Sequence, residues 1–199
     1  MTVTISRLYD SYADAQQAVT ALEAAGVQHS NISIVANNSD GWFDGKKDRD
    51  GVDDRAEAAG TGAGIGAGVG GAAGLLAGLG LLAIPGLGPV VAAGWLAATA
   101  VGAAAGAATG GVVGALTEAG VSKEDAPLYA EGVRRGGTLV SAKVADADRT
   151  RFDGILNRSS VNLQDRSATW QKTGWTGYDP ANKPYGADEV RKERSLYGS

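Results

Sequence analysis

GTGAGIGAGVGGAAGLLAGLGLLAIPGLGPVVAAGWLAATAVGAAAGAATGGVVGAL occupies residues 60–116 and holds no charged side chain. Whether it is a linker, a nucleotide loop or a packed apolar element decides the fold. Flexible linkers are rich in Gly and Ser. Residues 58–117 hold 18 Gly and 19 Ala but no Ser, and Leu and Val make up most of the remainder. That much apolar surface left in water is unfavourable, so the segment is expected to pack against something. Gly62, Gly66, Gly70, Gly74 and Gly78 recur every fourth residue, and Gly94, Ala98, Gly102, Gly106, Gly110 and Gly114 repeat the spacing after a break. On a 3.6-residue helix each step of four advances by about 40°, which makes a slowly winding stripe of small residues. Two such stripes can press together in the right-handed crossing of GxxxG pairs. Interior Gly costs soluble helices about 1 kcal/mol relative to Ala, whereas membrane helices carry it more often.

The hexapeptide Ile84-Pro85-Gly86-Leu87-Gly88-Pro89 reads as a turn between two arms, residues 60–83 and 90–116. At ~1.5 Å per residue either arm, taken as a helix, is long enough to cross a hydrocarbon core of ~30 Å. The most apolar part is the tip, with Leu75, Leu76, Leu79, Leu81, Leu82, Ile84, Leu87, Val90, Val91, Trp95 and Leu96 as the side chains expected to meet lipid. Lys46, Lys47, Arg49 and Arg55 precede the first arm, and Lys123, Arg134 and Arg135 follow the second. By the positive-inside rule both termini are then cytoplasmic. The competing expectation is a soluble, cytoplasmic hairpin that buries its stripes against sister subunits. Gly66, Gly68 and Gly71 spell GxGxxG, but in so glycine-dense a run the match is nearly inevitable, and no strand is read before it.

The rest of the 199-residue chain is poor in chemistry. It has no Cys, which excludes disulfides, thiolate metal sites and cysteine nucleophiles, and its one His, His29, excludes multi-histidine zinc sites. Residues 1–57 carry 5 basic and 10 acidic side chains and residues 118–199 carry 13 and 12, so neither end is a nucleic-acid footprint. The opening MTVTISRLYD alternates like a strand and has no apolar signal core, so no cleaved targeting peptide is expected.

Val3 and Ile5 predict a strand, Asp10 or Ser11 caps a helix bearing Ala18, Val19, Leu22 and Ala25 on one face, and Ile32, Ile34 and Val35 predict a second strand. After the insertion, residues 122–135 read as a helix with Ser122 or Asp125 as cap and Pro127 in its first turn. Residues 138–144 read as a strand, 146–157 as a helix burying Phe152, Ile155 and Leu156, and Val161 with Leu163 as a fourth strand. Two similar halves predict an α+β, ferredoxin-like, four-stranded antiparallel sheet with both helices on one face. The expected divisions are residues 1–37 as the first half, 38–57 as an acidic linker, 58–117 as a glycine-zipper helical hairpin, 118–165 as the second half and 166–199 as an aromatic tail.

Three blocks, ISRLYDSYADAQQAVTALEAAGV with NISIVANN, GLLAGLGLLAIPGLGPVVAAGWLAA, and GVSKEDAPLYAEGVRRGGTLVSAKV, span roughly residues 5–145. In these the chain resembles the general stress protein family of YflT-like, heat-induced type, apart from Pro127, where family helices are plainer. The resemblance implies a bacterial protein linked to stress, a small α/β domain with a glycine-zipper insertion, and no catalytic residues.

Four other features carry weaker signals. In residues 40–57, with Gly51 at the sixth loop position, Asp48, Asp50, Asp54 and Glu57 fall in EF-hand order, but Lys46 stands where the first carboxylate belongs, and a solvated linker is the plainer reading. Trp170, Trp175, Tyr178 and Tyr185 in the tail suit a membrane-interface belt or, more readily, a wrap over the domain's own sheet or a partner subunit. Residues 188–197 read as a short charged helix. His29 reads as a surface residue, and Asp10, Asp14 and Glu23 as a solvated helix face. The function expected is therefore a non-enzymatic stress protein whose hairpin associates with the membrane and with itself, or else a soluble homo-oligomeric scaffold. No cofactor, metal, nucleic acid or small-molecule partner is expected.

Overall fold

The computed structural model describes residues 1–39, 41–43, 80–84, 88–96 and 111–197. Alternating Val3 and Ile5 open strand β1 (Thr2–Tyr9). Ser11 caps helix α1 (Tyr12–Ala24), its Oγ accepting the Asp14 N–H at 3.0 Å, and Gly26 ends the turn beyond it at φ +100°. Strand β2 (Ile32–Asn37) completes the first half. From the insertion come strands β3 (Gly80–Ile84) and β4 (Gly88–Gly94) and helix α2 (Gly111–Glu118). Helix α3 (Asp125–Arg134) starts where the Ser122 Oγ accepts the Asp125 N–H, and Pro127 sits in the first turn, where a missing N–H leaves no helical bond unmade. Strand β5 (Thr138–Ala145) and helices α4 (Arg149–Leu156), α5 (Leu163–Lys172) and α6 (Ala187–Ser195) follow.

The fold is α+β, built on an antiparallel five-stranded sheet of order β1-β5-β2-β4-β3. Successive strand residues point to opposite faces, and both faces are covered. Helices α1 and α4 pack Leu22, Phe152 and Leu156 on Ile5, Ile34 and Val140, sharing one face as the two halves led us to expect. Helices α2 and α3 pack Leu116, Tyr129 and Val133 on Leu8, Val35, Val90 and Leu139. Burial on both sides is why β2, ISIVAN, has all six residues buried.

A polar row crosses the second face. Ser6 and Ser33 are both in register with Ser141; the Ser6 and Ser141 hydroxyls bond at 2.8 Å, and Ser33 Oγ donates to Ala93 O. Tyr129 on α3 reaches down to this row, its hydroxyl donating to Ser6 O at 2.6 Å. Tyr129→Phe is expected to cost about 1 kcal/mol, near the usual net worth of one bond, because Ser6 O keeps a second donor in Arg7 Nη1. A lower urea midpoint at unchanged slope checks it.

Two expectations are corrected. No fourth strand forms at 161–163: Val161 N–H donates to Leu8 O beside β1, but Asn162 then caps α5, its Oδ1 accepting the Gln164 and Asp165 N–H groups. A good N-cap outcompetes a two-residue apolar alternation. The tip of the expected helical hairpin is instead β3 and β4, which pair from Gly80↔Ala92 to Ile84↔Gly88, while β4 pairs with β2 from Ser33↔Gly94 to Asn37↔Val90. Short apolar runs bounded by Gly and Pro fit a buried strand as well as a helix, and periodicity alone does not separate them.

Candidate functional site

The residues singled out in the sequence do not converge. Gly62, Gly66, Gly70, Gly74, Gly78, Gly102, Gly106 and Gly110 lie outside the described residues, as do Leu75, Leu76, Leu79 and Leu87 and the acidic segment at 44–57. Gly94 ends β4 at φ +84° rather than lying in a helical stripe. Gly114 does lie in a helix, but a Cβ built on it meets nothing within 4 Å among the described residues. Of the tip, Leu81, Leu82 and Ile84 lie on β3, while Val90, Val91 and Leu96 are fully buried. Trp95 is half-buried with Lys143 Nζ 4.1 Å from its ring centre. Among the described residues no helix is long and apolar enough to cross a membrane. The carboxylates expected to be solvated have partners: Asp10, which precedes α1, accepts from Arg166; Asp14 accepts from Ser11 Oγ; and Glu23 Oε1 lies 3.3 Å from His29 Nδ1.

Sequence reading missed the most organised polar centre among the described residues. It is built from α3, where Glu131 stands three and four residues before Arg134 and Arg135, so that all three share a helix face. Such triplets usually face water; this one is covered by the C-terminal segment, and Glu131 is 1% exposed. Arg134 donates Nη2 to Glu131 Oε1 (2.6 Å) and Nε to Oε2 (2.8 Å), a bidentate pair, and Arg135 Nε donates to Oε1 at 2.5 Å. From α6, Glu193 accepts Arg135 Nη1 on Oε2 (3.2 Å) and, on Oε1, the Trp170 indole N–H (2.8 Å) and the Tyr197 hydroxyl (3.0 Å). Tyr185 lies over both guanidinium groups, and Trp170 lies against Arg135. Arg134 also donates to Lys183 O and Arg194 to Gly136 O.

Two carboxylates facing two guanidinium groups cancel formally. Burial opposes the Arg134 charge, but bonding to Glu131 outweighs it and raises the pKa. The cavity bordered by Leu8, Gly136, Arg166 and Trp170 is about 10 Å³, room for no more than one water. Both carboxylates are engaged by arginine, so the arrangement is suited to fastening chain to chain. The tail thus wraps the domain itself, with Trp170 only 2% exposed rather than in an interface belt.

Buried tyrosines give the fold an alkaline limit. Burial raises Tyr9 and Tyr129 above the ordinary tyrosine range and pushes Tyr178 up to about 12, where the Glu131 charge adds to it. Above pH ~10, the ordinary tyrosine value, the unfolded chain releases these protons while the folded chain keeps them. Stability is therefore undiminished below pH ~10 and falls as pH rises toward ~12. Tyrosinate absorbance is expected to rise together with loss of the folded circular dichroism signal.

Compared with protein-family models, curated proteins and solved structures, the chain matches none.

Proposed function

We propose that this protein is a non-enzymatic, soluble scaffold that associates with copies of itself, with a ferredoxin-like head and a role in stress. The observation that carries the soluble reading is the burial of Val90, Val91 and Leu96, each 0% exposed. These apolar side chains are buried inside the head, Val90 and Val91 on a strand of its sheet, so the tip has fewer left to offer lipid. Self-association is supported by the four-residue glycine spacing at 62–78 and 102–110. The strand order β1-β5-β2, in which the second half enters between the strands of the first, supports the ferredoxin-like description. The stress role rests on the resemblance of residues 5–145 to the general stress proteins, and the non-enzymatic reading on a polar centre whose carboxylates are tied to arginine.

A second reading, membrane association of the insertion with both termini in the cytoplasm, has its support in the charge-free run at 60–116 flanked by Lys and Arg. Light scattering of the full chain without detergent tests the first. A mass of at least two chains is expected, and a monomer at every concentration would count against self-association.

A further inference from the structure

The two edges of the sheet differ. Along the outer side of β1 another part of the chain docks, Val161 N–H donating to Leu8 O, and Thr4 Oγ1 on the same strand donates to Ala119 O. At the far edge β3 pairs with β4 on one side and, among the described residues, with nothing on the other. An edge strand presents a row of backbone donors and acceptors, and proteins usually guard it with Lys, Pro, a bulge or a covering segment. The β3 sequence GLLAI contains no charge and no Pro.

Resting on the self-association proposed above, we infer that β3 pairs antiparallel with β3 of a second copy across a two-fold axis, joining two five-stranded sheets into one. An edge recognises another strand, and a two-fold contact sets the same segment opposite itself. For a charged strand that arrangement opposes like charges; for GLLAI it opposes none. The sequence also selects a register. With the axis at Leu82, Leu81 stands opposite the partner's Ala83 and Gly80 opposite the partner's Ile84, so a large residue meets a small one on each side of the central Leu pair. Pairing of this kind fixes the contact in one geometry.

The chain has no Cys, so single-cysteine variants give a clean readout. In full-length Leu82→Cys the two thiols would sit on strands ~4.5–5.5 Å apart at Cα, within disulfide reach. In Gly80→Cys, four residues out of register, they would be ~13 Å apart. Under mild oxidation Leu82→Cys is expected to form disulfide dimer at least about ten-fold faster than Gly80→Cys and than Ala13→Cys on the exposed face of α1, which reports random collision. Light scattering of the reduced variants confirms that each retains the wild-type mass. Equal crosslinking at the three positions in a chain that is still oligomeric overturns the edge pairing alone, leaving the self-association reading intact. A monomeric wild-type chain with no preferred crosslink overturns both, and implies that the edge is covered by the same chain.

Discussion

Glu131→Ala is expected to destabilise the fold by about 3–5 kcal/mol, because it leaves Arg134 and Arg135 buried without their shared carboxylate. For a domain of this size that lowers the thermal midpoint by on the order of 10 °C. The penalty comes from the stranded charges rather than from a large net worth of the ion pairs. Replacing the group together, Glu131→Met with Arg134→Met, Arg135→Leu and Glu193→Gln, is accordingly expected to recover much of the loss. The tail should report the same event, because Arg135, no longer held by Glu131, is the residue that anchors Glu193 of α6, and Glu193 in turn holds Trp170 of α5. Cleavage of α5 and α6 by a protease is then expected before cleavage of the sheet. A loss below about 1 kcal/mol would place Glu131 in water and contradict the cluster.

Gly94→Ala is the second change with a large expected effect. A Cβ there falls 2.3 Å from Ile32 O and 2.8 Å from Ser33 Cα, both backbone atoms of the adjoining strand region, and φ is +84°. Neither contact can be relieved by turning a side chain. We expect the β3–β4 hairpin to come away from β2, at a cost above about 2 kcal/mol. Backbone amides in the hairpin and along β2 should exchange faster with solvent, and amides on the β1–β5 pair should change less. Gly114→Ala is the contrast. In a helix, with no described residue within 4 Å of the added Cβ, alanine is expected to be neutral or stabilising by up to about 1 kcal/mol. A helical glycine stripe predicts otherwise at residue 94, since the same stripe already accepts Ala98. A mild Gly94→Ala would therefore favour the helical hairpin.

The parts of the fold legible in the sequence are those where local chemistry and tertiary packing agree. Ser11 is followed three residues later by Asp14 and caps α1 as such a pair should; Gly26 and Gly136 stop helices at positive φ; and Thr138 to Val144 alternates between two covered faces. Val90 and Val91 are ambiguous in the sequence because both a buried strand and a lipid-facing helix need apolar residues, and four-residue glycine spacing favours a helix. What decides the matter is the free side of β2, a long-range partner that no local pattern announces. The candidate site was less legible still. Glu131, Arg134 and Arg135 look like a solvated helix face, and only the arrival of Trp170, Tyr185 and Glu193 from the tail removes their water. A usable signal does exist in α6, ADEVRKERS, where Val190 is the one large apolar residue of an otherwise hydrophilic helix and marks the side that docks.

The most direct test of the soluble-scaffold account is the partition of the full-length chain between membrane pellet and supernatant, without detergent and after a carbonate wash. The account predicts the supernatant, as a particle larger than one chain, because Val90, Val91 and Leu96 are already buried in the head. Retention in the washed pellet would contradict it and make the insertion a membrane element.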